Sequence, residues 1–291
     1  MKENKIGLVL EGGGHRGIYT AGVLDVFAEN KIFVDAVMGV SAGCVHGVSF
    51  LSGQIGRSLR YTTKYCDNSK YMGLRSLITT GNFFNEDFCY YKLPEILDPF
   101  DNDAFDKNPT QFFAVCTDVK TGKPIYHECE SLKGEKIKWL QASASMPLVS
   151  KIVKVDDELL LDGGISDSIP IQKMQEMGFE KNIVILTQEK GYAKKANSLL
   201  PIIKRVYKKY PELIKAVEKR HLVYNQQLEY LEEQEKSGKV IIIRPSEKPV
   251  ASRTEKDKEK IIATYNLGKK DALSMLEKIK TWNCVSNSES V

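Results

Sequence analysis

Short apolar runs alternate with stretches of helical spacing over the first two thirds of the chain. Residues 5–10 (KIGLVL), apolar after the opening lysine, predict a short buried strand. From Ile18 to Asn30, apolar side chains at Ile18, Ala21, Val23, Leu24, Val26 and Phe27 recur as on a helix. Val34–Met38 predicts a second strand, and Val45, Val48 and Phe50 a helix beyond it. Further strands are expected at Phe112–Val119, Ile152–Val155, Leu159–Leu161 and Ile183–Thr187. Strands interleaved with helices predict an α/β fold around a mostly parallel sheet.

Two stretches break this rhythm. Between Gly81 and Asp106, seven aromatics (Phe83, Phe84, Phe88, Tyr90, Tyr91, Phe100 and Phe105) are interleaved with seven acids and a single Lys92. This insertion, 81–106, reads either as a lid or acyl-chain wall, or as a loop-rich flap that packs its aromatics on the core. After Gln188 the chain turns helical and basic: Glu189–Arg220 holds ten Lys or Arg against three Glu. Leu199–Tyr210 mixes apolar and basic residues as an interfacial helix does, so 189–220 is a candidate peripheral contact with anionic membrane, set against a plain solvated face. One more strand is expected near 239–244 and a helix from about Glu255 to Lys280. The Ser/Asn-rich tail, Cys284–Val291, is expected to fray. The resulting division is a catalytic domain over 1–190 and a basic helical region over 191–291.

Composition narrows the classes. The chain has 291 residues, 42% hydrophobic and 27% charged, with a net charge of +4, ordinary values for a globular protein. No apolar stretch is long enough to cross a bilayer, and the start, MKENKIGLVLEGGG, lacks a secretory apolar region. Six cysteines without C-x-x-C pairs suit reduced thiols in a cytoplasmic protein. Four scattered histidines give no metal-ligand spacing, so no metal and no cofactor is expected. The basic strip lacks a nucleic-acid module, so no nucleic acid is expected as a partner.

The chemistry lies in three segments. Glu11-Gly12-Gly13-Gly14-His15-Arg16-Gly17 follows the first strand and can offer backbone N–H donors, from Gly12, Gly13, Gly14 and Gly17, to an oxyanion. Gly39-Val40-Ser41-Ala42-Gly43 joins the second strand to the next helix. There Gly39 and Gly43 permit a tight turn that exposes the Ser41 hydroxyl. Asp162-Gly163-Gly164 follows an apolar strand and supplies a carboxylate. Together they provide stabiliser, nucleophile and base for acyl transfer.

With these three segments in this order, the chain resembles the patatin-like phospholipase family over about residues 5–190. In that family the Gly-Gly-Gly-x-Arg/Lys-Gly loop builds the oxyanion hole, and the G-x-S-x-G carries the nucleophile. Asp-Gly-Gly/Ala completes a Ser–Asp dyad. Ala142-Ser143-Ala144-Ser145-Met146-Pro147 resembles the family's A-S-x-x-x-P segment, and Thr117–Gly122 its post-strand turn. The resemblance implies a three-layer α/β/α sandwich with a helical C-terminal appendage. It also implies Ser41 and Asp162 as the dyad, acting on acyl esters of phospholipids or lysophospholipids in the cytoplasm or at the inner face of the membrane.

A dyad needs no histidine, which suits the poor placement of His15, His46, His127 and His221 for a triad. Cys44, three residues past the serine, is expected to pack inside the elbow helix. Arg16 either leans its charge toward the oxyanion or braces the loop through carbonyls, and bracing is favoured. Two other classes compete. Gly12-x-Gly14-x-x-Gly17 with Asp35 also fits a dinucleotide fingerprint, but that reading leaves Ser41 and Asp162 unexplained. A catalytically inactive lipid- or partner-binding module of the same fold is opposed by the intact serine, aspartate and glycine loop.

Overall fold

A computed structural model describes the backbone of residues 5–288 and side chains through residue 282. Its centre is an eight-stranded sheet. Five strands run parallel: β3 (Gln111–Asp118), β2 (Ala36–Val40), β1 (Ile6–Leu10), β7 (Lys181–Ile185) and β8 (Val240–Ile243), adjacent in that order. Two more pair antiparallel with β3, β4 (Pro124–Glu128) and β6 (Glu158–Asp162), and β5 (Val153–Val155) pairs antiparallel with β6.

The central strands are apolar throughout because both of their faces are covered. Ile6, Leu8 and Leu10 point into one layer, with α1 (Ile18–Glu29), α2 (Ala42–Leu51), α6 (Ile137–Ser143) and α10 (Lys258–Ser288). Val9 and Val184 point into the other, with α7 (Ile171–Glu176) and α9 (Pro211–Lys236) through Met174, Tyr224 and Leu231. Helices, sheet and helices form the expected three layers. The C-terminal region is helical apart from β8, which extends the main sheet by pairing with β7. α10 packs along α1 so closely that the Tyr265 carbonyl lies against Gly22, and the Tyr19 carbonyl against Gly268.

The aromatic insertion follows α3 (Arg57–Tyr65) and α4 (Leu74–Thr80). It contains a wide π-helical stretch, Phe88–Leu97, interrupted by Pro94, and then α5 (Asn102–Lys107). Phe88 and Leu93 are buried with Tyr61, Tyr65, Tyr71 and Met72 in a cluster of their own. Farther on, α8 (Leu200–Val206) buries Ile203 but leaves Ile202 and Val206 exposed, as is Leu199 just before it. The tail expected to fray is helical as far as Ser288, within α10, and residues 289–291 lie outside the described residues. Among the described residues, no helix is long and apolar enough to cross a membrane.

Candidate active site

Strand register brings the three sequence segments together. Leu10, the last residue of β1, pairs with Gly39, so the glycine loop and the serine turn leave the sheet side by side. β3 outruns β2: Val115 pairs with Val40, and the next residue, Cys116, pairs with Asp162. β6 therefore takes its place beside β3 where β2 ends, and Asp162 lies next to the turn that carries Ser41.

Ser41 stands between β2 and α2 with φ 56° and ψ −122°, outside the regions that side-chain-bearing residues favour. Such a conformation costs roughly 1–3 kcal/mol and persists only where its surroundings enforce it. Here the Ser41 N–H donates to Ser143 Oγ at 3.0 Å, and Ser143 Oγ donates in turn to the Val115 carbonyl at 2.7 Å. Two residues on, the Ser145 carbonyl accepts the Asp162 N–H at 2.8 Å. One short segment at the end of α6 thus fixes both residues. Gly39 packs on the backbone of Cys44, and Gly43 on the Leu10 carbonyl; Cys44 itself is fully buried, which pushes its thiol up to about 12.

Asp162 is 1% exposed. Its Oδ1 accepts from the Gly164 N–H at 2.8 Å, while Oδ2 is buried with no closely formed hydrogen bond. Burial holds this carboxyl above the ordinary carboxylate range. The Arg220 cation, then the Ser41 hydroxyl and the Gly164 N–H, draw it part of the way back. The Ser41 hydroxyl is thus an electrostatic neighbour of Asp162 in a contact looser than a formed bond, as is common before substrate binds.

The glycine loop is held from beneath. The Glu11 carboxylate accepts from the Thr187 N–H at 2.6 Å and from the Tyr224 hydroxyl at 2.8 Å. Arg16 donates to the Thr187 carbonyl at 2.9 Å and to its Oγ1 at 3.2 Å, and Thr187 Oγ1 donates to the Gly12 carbonyl at 2.9 Å. Arg16 therefore ties the loop to the end of β7. A Cβ on Gly12 would stand 2.8 Å from Ser41 Cβ and 3.5 Å from its Oγ, so only glycine lets the loop close over the hydroxyl. Gly14 takes φ 57°, and a Cβ there would meet the Arg253 carbonyl at 2.5 Å. Gly13 lies over Thr187, and Gly17 packs on Ala42. The N–H groups of Gly12 and Gly13 have no protein acceptor among the described residues.

None of the four histidines bonds to Ser41. His15 Nδ1 contacts the Glu255 carbonyl at 2.6 Å, and its ring stacks on Tyr71. His46 bonds Ser58 Oγ at 3.0 Å, and burial drives it down to about 3, so it is neutral at physiological pH. His127 stacks on Trp139, and His221 bonds the Glu218 carbonyl of its own helix. Asp35 accepts the Ile6 N–H at 2.8 Å, at the opposite end of β1 from the glycine loop.

Ser41 opens onto two cavities. One, of about 360 Å³, is walled largely by apolar and aromatic side chains, among them Ile18, Val45, Tyr90, Leu93, Phe100 and Leu140. The other, of about 640 Å³, contains Asp162, the glycine loop, Lys194, Arg220 and Arg253. Sequence reasoning assigned no role to Glu11, Ser143, Ser145 or Thr187. The first three lie in or beside quoted motifs and were within its reach. Arg220 and Arg253 belong to no motif, and only the fold brings them to the serine.

A serine at the tip of a strand–sharp turn–helix defines the class of α/β enzymes that present an elbow nucleophile. Comparison with known proteins identifies the family. The model for patatin-like phospholipases matches residues 8–174, so the chain belongs to the patatin-like phospholipase family. A second family model, a domain of unknown function (DUF6363), matches residues 210–283. The uncharacterized protein YjjU of Escherichia coli is 29% identical over 192 residues, 63% of this chain and 52% of that protein. The lysophospholipase nte1 of Aspergillus fumigatus is 28% identical over 189 residues, 60% of this chain but 11% of that protein. The chain thus matches about half the length of the first relative and a small part of the second. Among solved structures, VipD from Legionella pneumophila aligns over 95% of this chain and 67% of its own, with a TM-score of 0.47 and 13% identity.

Proposed function

We propose that this protein hydrolyses fatty acyl esters of phospholipids or lysophospholipids through a Ser41–Asp162 dyad. The observation that carries the reading is the juxtaposition of a strained, half-buried serine that opens onto both cavities, a buried carboxylate with one oxygen uncommitted, and a glycine loop with unspent N–H donors. Ser41 Oγ attacks the ester carbonyl carbon while Asp162 Oδ2 takes the hydroxyl proton. The N–H groups of Gly12 and Gly13 hold the tetrahedral oxyanion, and the N-terminus of α2 adds favourable partial charge. Collapse expels the alcohol, which receives the proton from Asp162. Water, deprotonated by Asp162, then attacks the acyl-enzyme, releasing the fatty acid and restoring Ser41. A carboxyl held high by burial is the stronger base once ionised, which suits direct proton transfer without a histidine.

The apolar cavity suits the acyl chain. Tyr90, Leu93 and Phe100 of the insertion contribute to its wall, which favours an acyl-binding role for 81–106. The exposed Ile202 and Val206 of α8 and Leu199 just before it, with Lys204, Arg205, Lys208 and Lys209 around them, favour peripheral contact with an anionic membrane. The described cysteines are all unpaired, in keeping with a reducing cytoplasm. The test is fluorophosphonate labelling with the adduct located by mass spectrometry. A single adduct on Ser41, lost in Asp162→Asn, is expected; folded wild-type protein that takes no label would overturn the dyad.

A further inference from the structure

The cavity on the Asp162 side holds more cations than acids. Arg220 of α9, Lys194 from the loop before α8, and Arg253 from the loop before α10 converge on it. None of the three forms an ion pair among the described residues, although Lys204 and Lys215 nearby each find a glutamate. Of the two acids of the cavity, Glu11 is held by Thr187 and Tyr224, and Asp162 accepts from Gly164 through Oδ1 while its charge acts on Arg220 without a salt bridge between them. Arg220 Nη2 lies 3.1 Å from the point a Cβ on Gly164 would occupy, and Asp162 Oδ1 lies 3.0 Å from that same point. The guanidinium thus stands beside the carboxylate without closing on it, and its Nε is buried with no hydrogen-bond partner.

Lys194 adds to the excess. Its ammonium sits 4.1 Å from the centre of the Tyr224 ring. Burial, and then the neighbouring Arg220, push it down to about 7. An orphaned buried donor and a cation crowded by like charges are unfavourable in the empty protein. An anion placed among them relieves both, and two arginines with a lysine suit the oxygens of a phosphate.

We propose that Arg220, Arg253 and Lys194 form a subsite for the phosphate of the substrate, and that the C-terminal region, through Arg220 and Arg253, is the element that recognises it. The inference rests on the hydrolase reading above. With the scissile carbonyl at Ser41 and the acyl chain in the apolar cavity, the alcohol half of the ester points into the basic one. In a glycerophospholipid that half carries its phosphate a few bonds from the ester. Arg16 is spent on Thr187 and is not assigned to the subsite.

The test compares octanoyl glycerophosphate with octanoyl glycerol, two soluble esters that differ in the phosphate, using the full chain. Wild type should prefer the phosphate ester in kcat/KM. Arg253→Gln and Lys194→Gln should each reduce that preference by about tenfold or more, with thermal midpoints confirming the fold. Lys194→Met, which keeps the stem over Tyr224, should act as Lys194→Gln does. Arg220 is left out because its charge also acts on Asp162. A preference unchanged in both charge variants would overturn the subsite. Glycerol 3-phosphate competing at least about tenfold more strongly than inorganic phosphate would assign the site to a lipid headgroup; equal competition would assign it to free phosphate and overturn the substrate role. If wild type hydrolyses neither ester, the hydrolase reading fails independently. Calorimetric binding of glycerol 3-phosphate, lost in the double variant, would then still support the anion subsite, and absence of binding to wild type would overturn it.

Discussion

The two cavities that meet at Ser41 are built from opposite materials and from different lengths of chain. The apolar one is lined by residues between Gly14 and Ala144, within the sheet's first layer and the aromatic insertion. The basic one borrows Lys194, Arg220 and Arg253 from beyond β7. Burying apolar surface needs no particular partner, so the first wall can be assembled locally. Uncompensated cations must be held apart and in place by a rigid frame, and here α9 and the loop before α10 provide it. The C-terminal region is thus as much a part of the site as the glycine loop. Tyr224 on α9 makes the same point, since it fixes Glu11 directly beneath that loop.

In the proposed mechanism both cavities share one nucleophile, so the largest effect should be common to them. Ser41→Ala and Asp162→Asn should each lower ester turnover by about 10⁴-fold or more, on every substrate, with the thermal midpoint nearly unchanged. Substantial turnover in either variant would separate the cavities from the dyad. Val45→Phe should act on the apolar side alone, lowering kcat/KM for a long acyl chain relative to a butanoyl ester by about tenfold. An equal loss on both esters would mean that the chain does not lie along α2.

Arg220→Gln tests the basic side through pH. Asp162 must be ionised to accept the Ser41 proton, so activity falls as pH drops through its pKa. Burial raises that value and the Arg220 cation is the largest influence lowering it, so removing the charge raises it further. The acid limb of kcat/KM, measured on a neutral ester, should therefore move to higher pH; an unmoved limb would uncouple Arg220 from Asp162. The smallest effects should come from the histidines. Single Gln substitutions at His15, His46, His127 and His221 should keep activity within about tenfold, whereas a loss of several thousandfold at one of them would restore a triad.

Much of this arrangement is legible in the sequence. β1 and β8 declare themselves as apolar runs, while β2 and β7 are each displaced by two residues: β2 continues through Gly39 and Val40 into the turn, and β7 begins at the polar Lys181 and Asn182, ahead of its apolar run. β4 escapes notice because it is half-exposed and carries no apolar run. The three segments of the candidate site can be found from their glycines, which short-range sterics require. What does not show is register. That Cys116 faces Asp162, or that Arg220 arrives beside Gly164, depends on pairings between distant parts of the chain that no local pattern encodes.

The pairing of β8 with β7 has a consequence for dissecting the protein. The family match ends at residue 174, which invites a fragment ending soon after β7. Such a fragment would present the edge of Lys181–Ile185, of which Ile183, Val184 and Ile185 are buried and apolar, with its hydrogen-bonding groups unpaired. It would also strip the cover of α10 from α1. Shortened there, the chain is expected to associate through that open edge rather than persist as a smaller enzyme, and attempts to produce the family-matched part alone should yield aggregate.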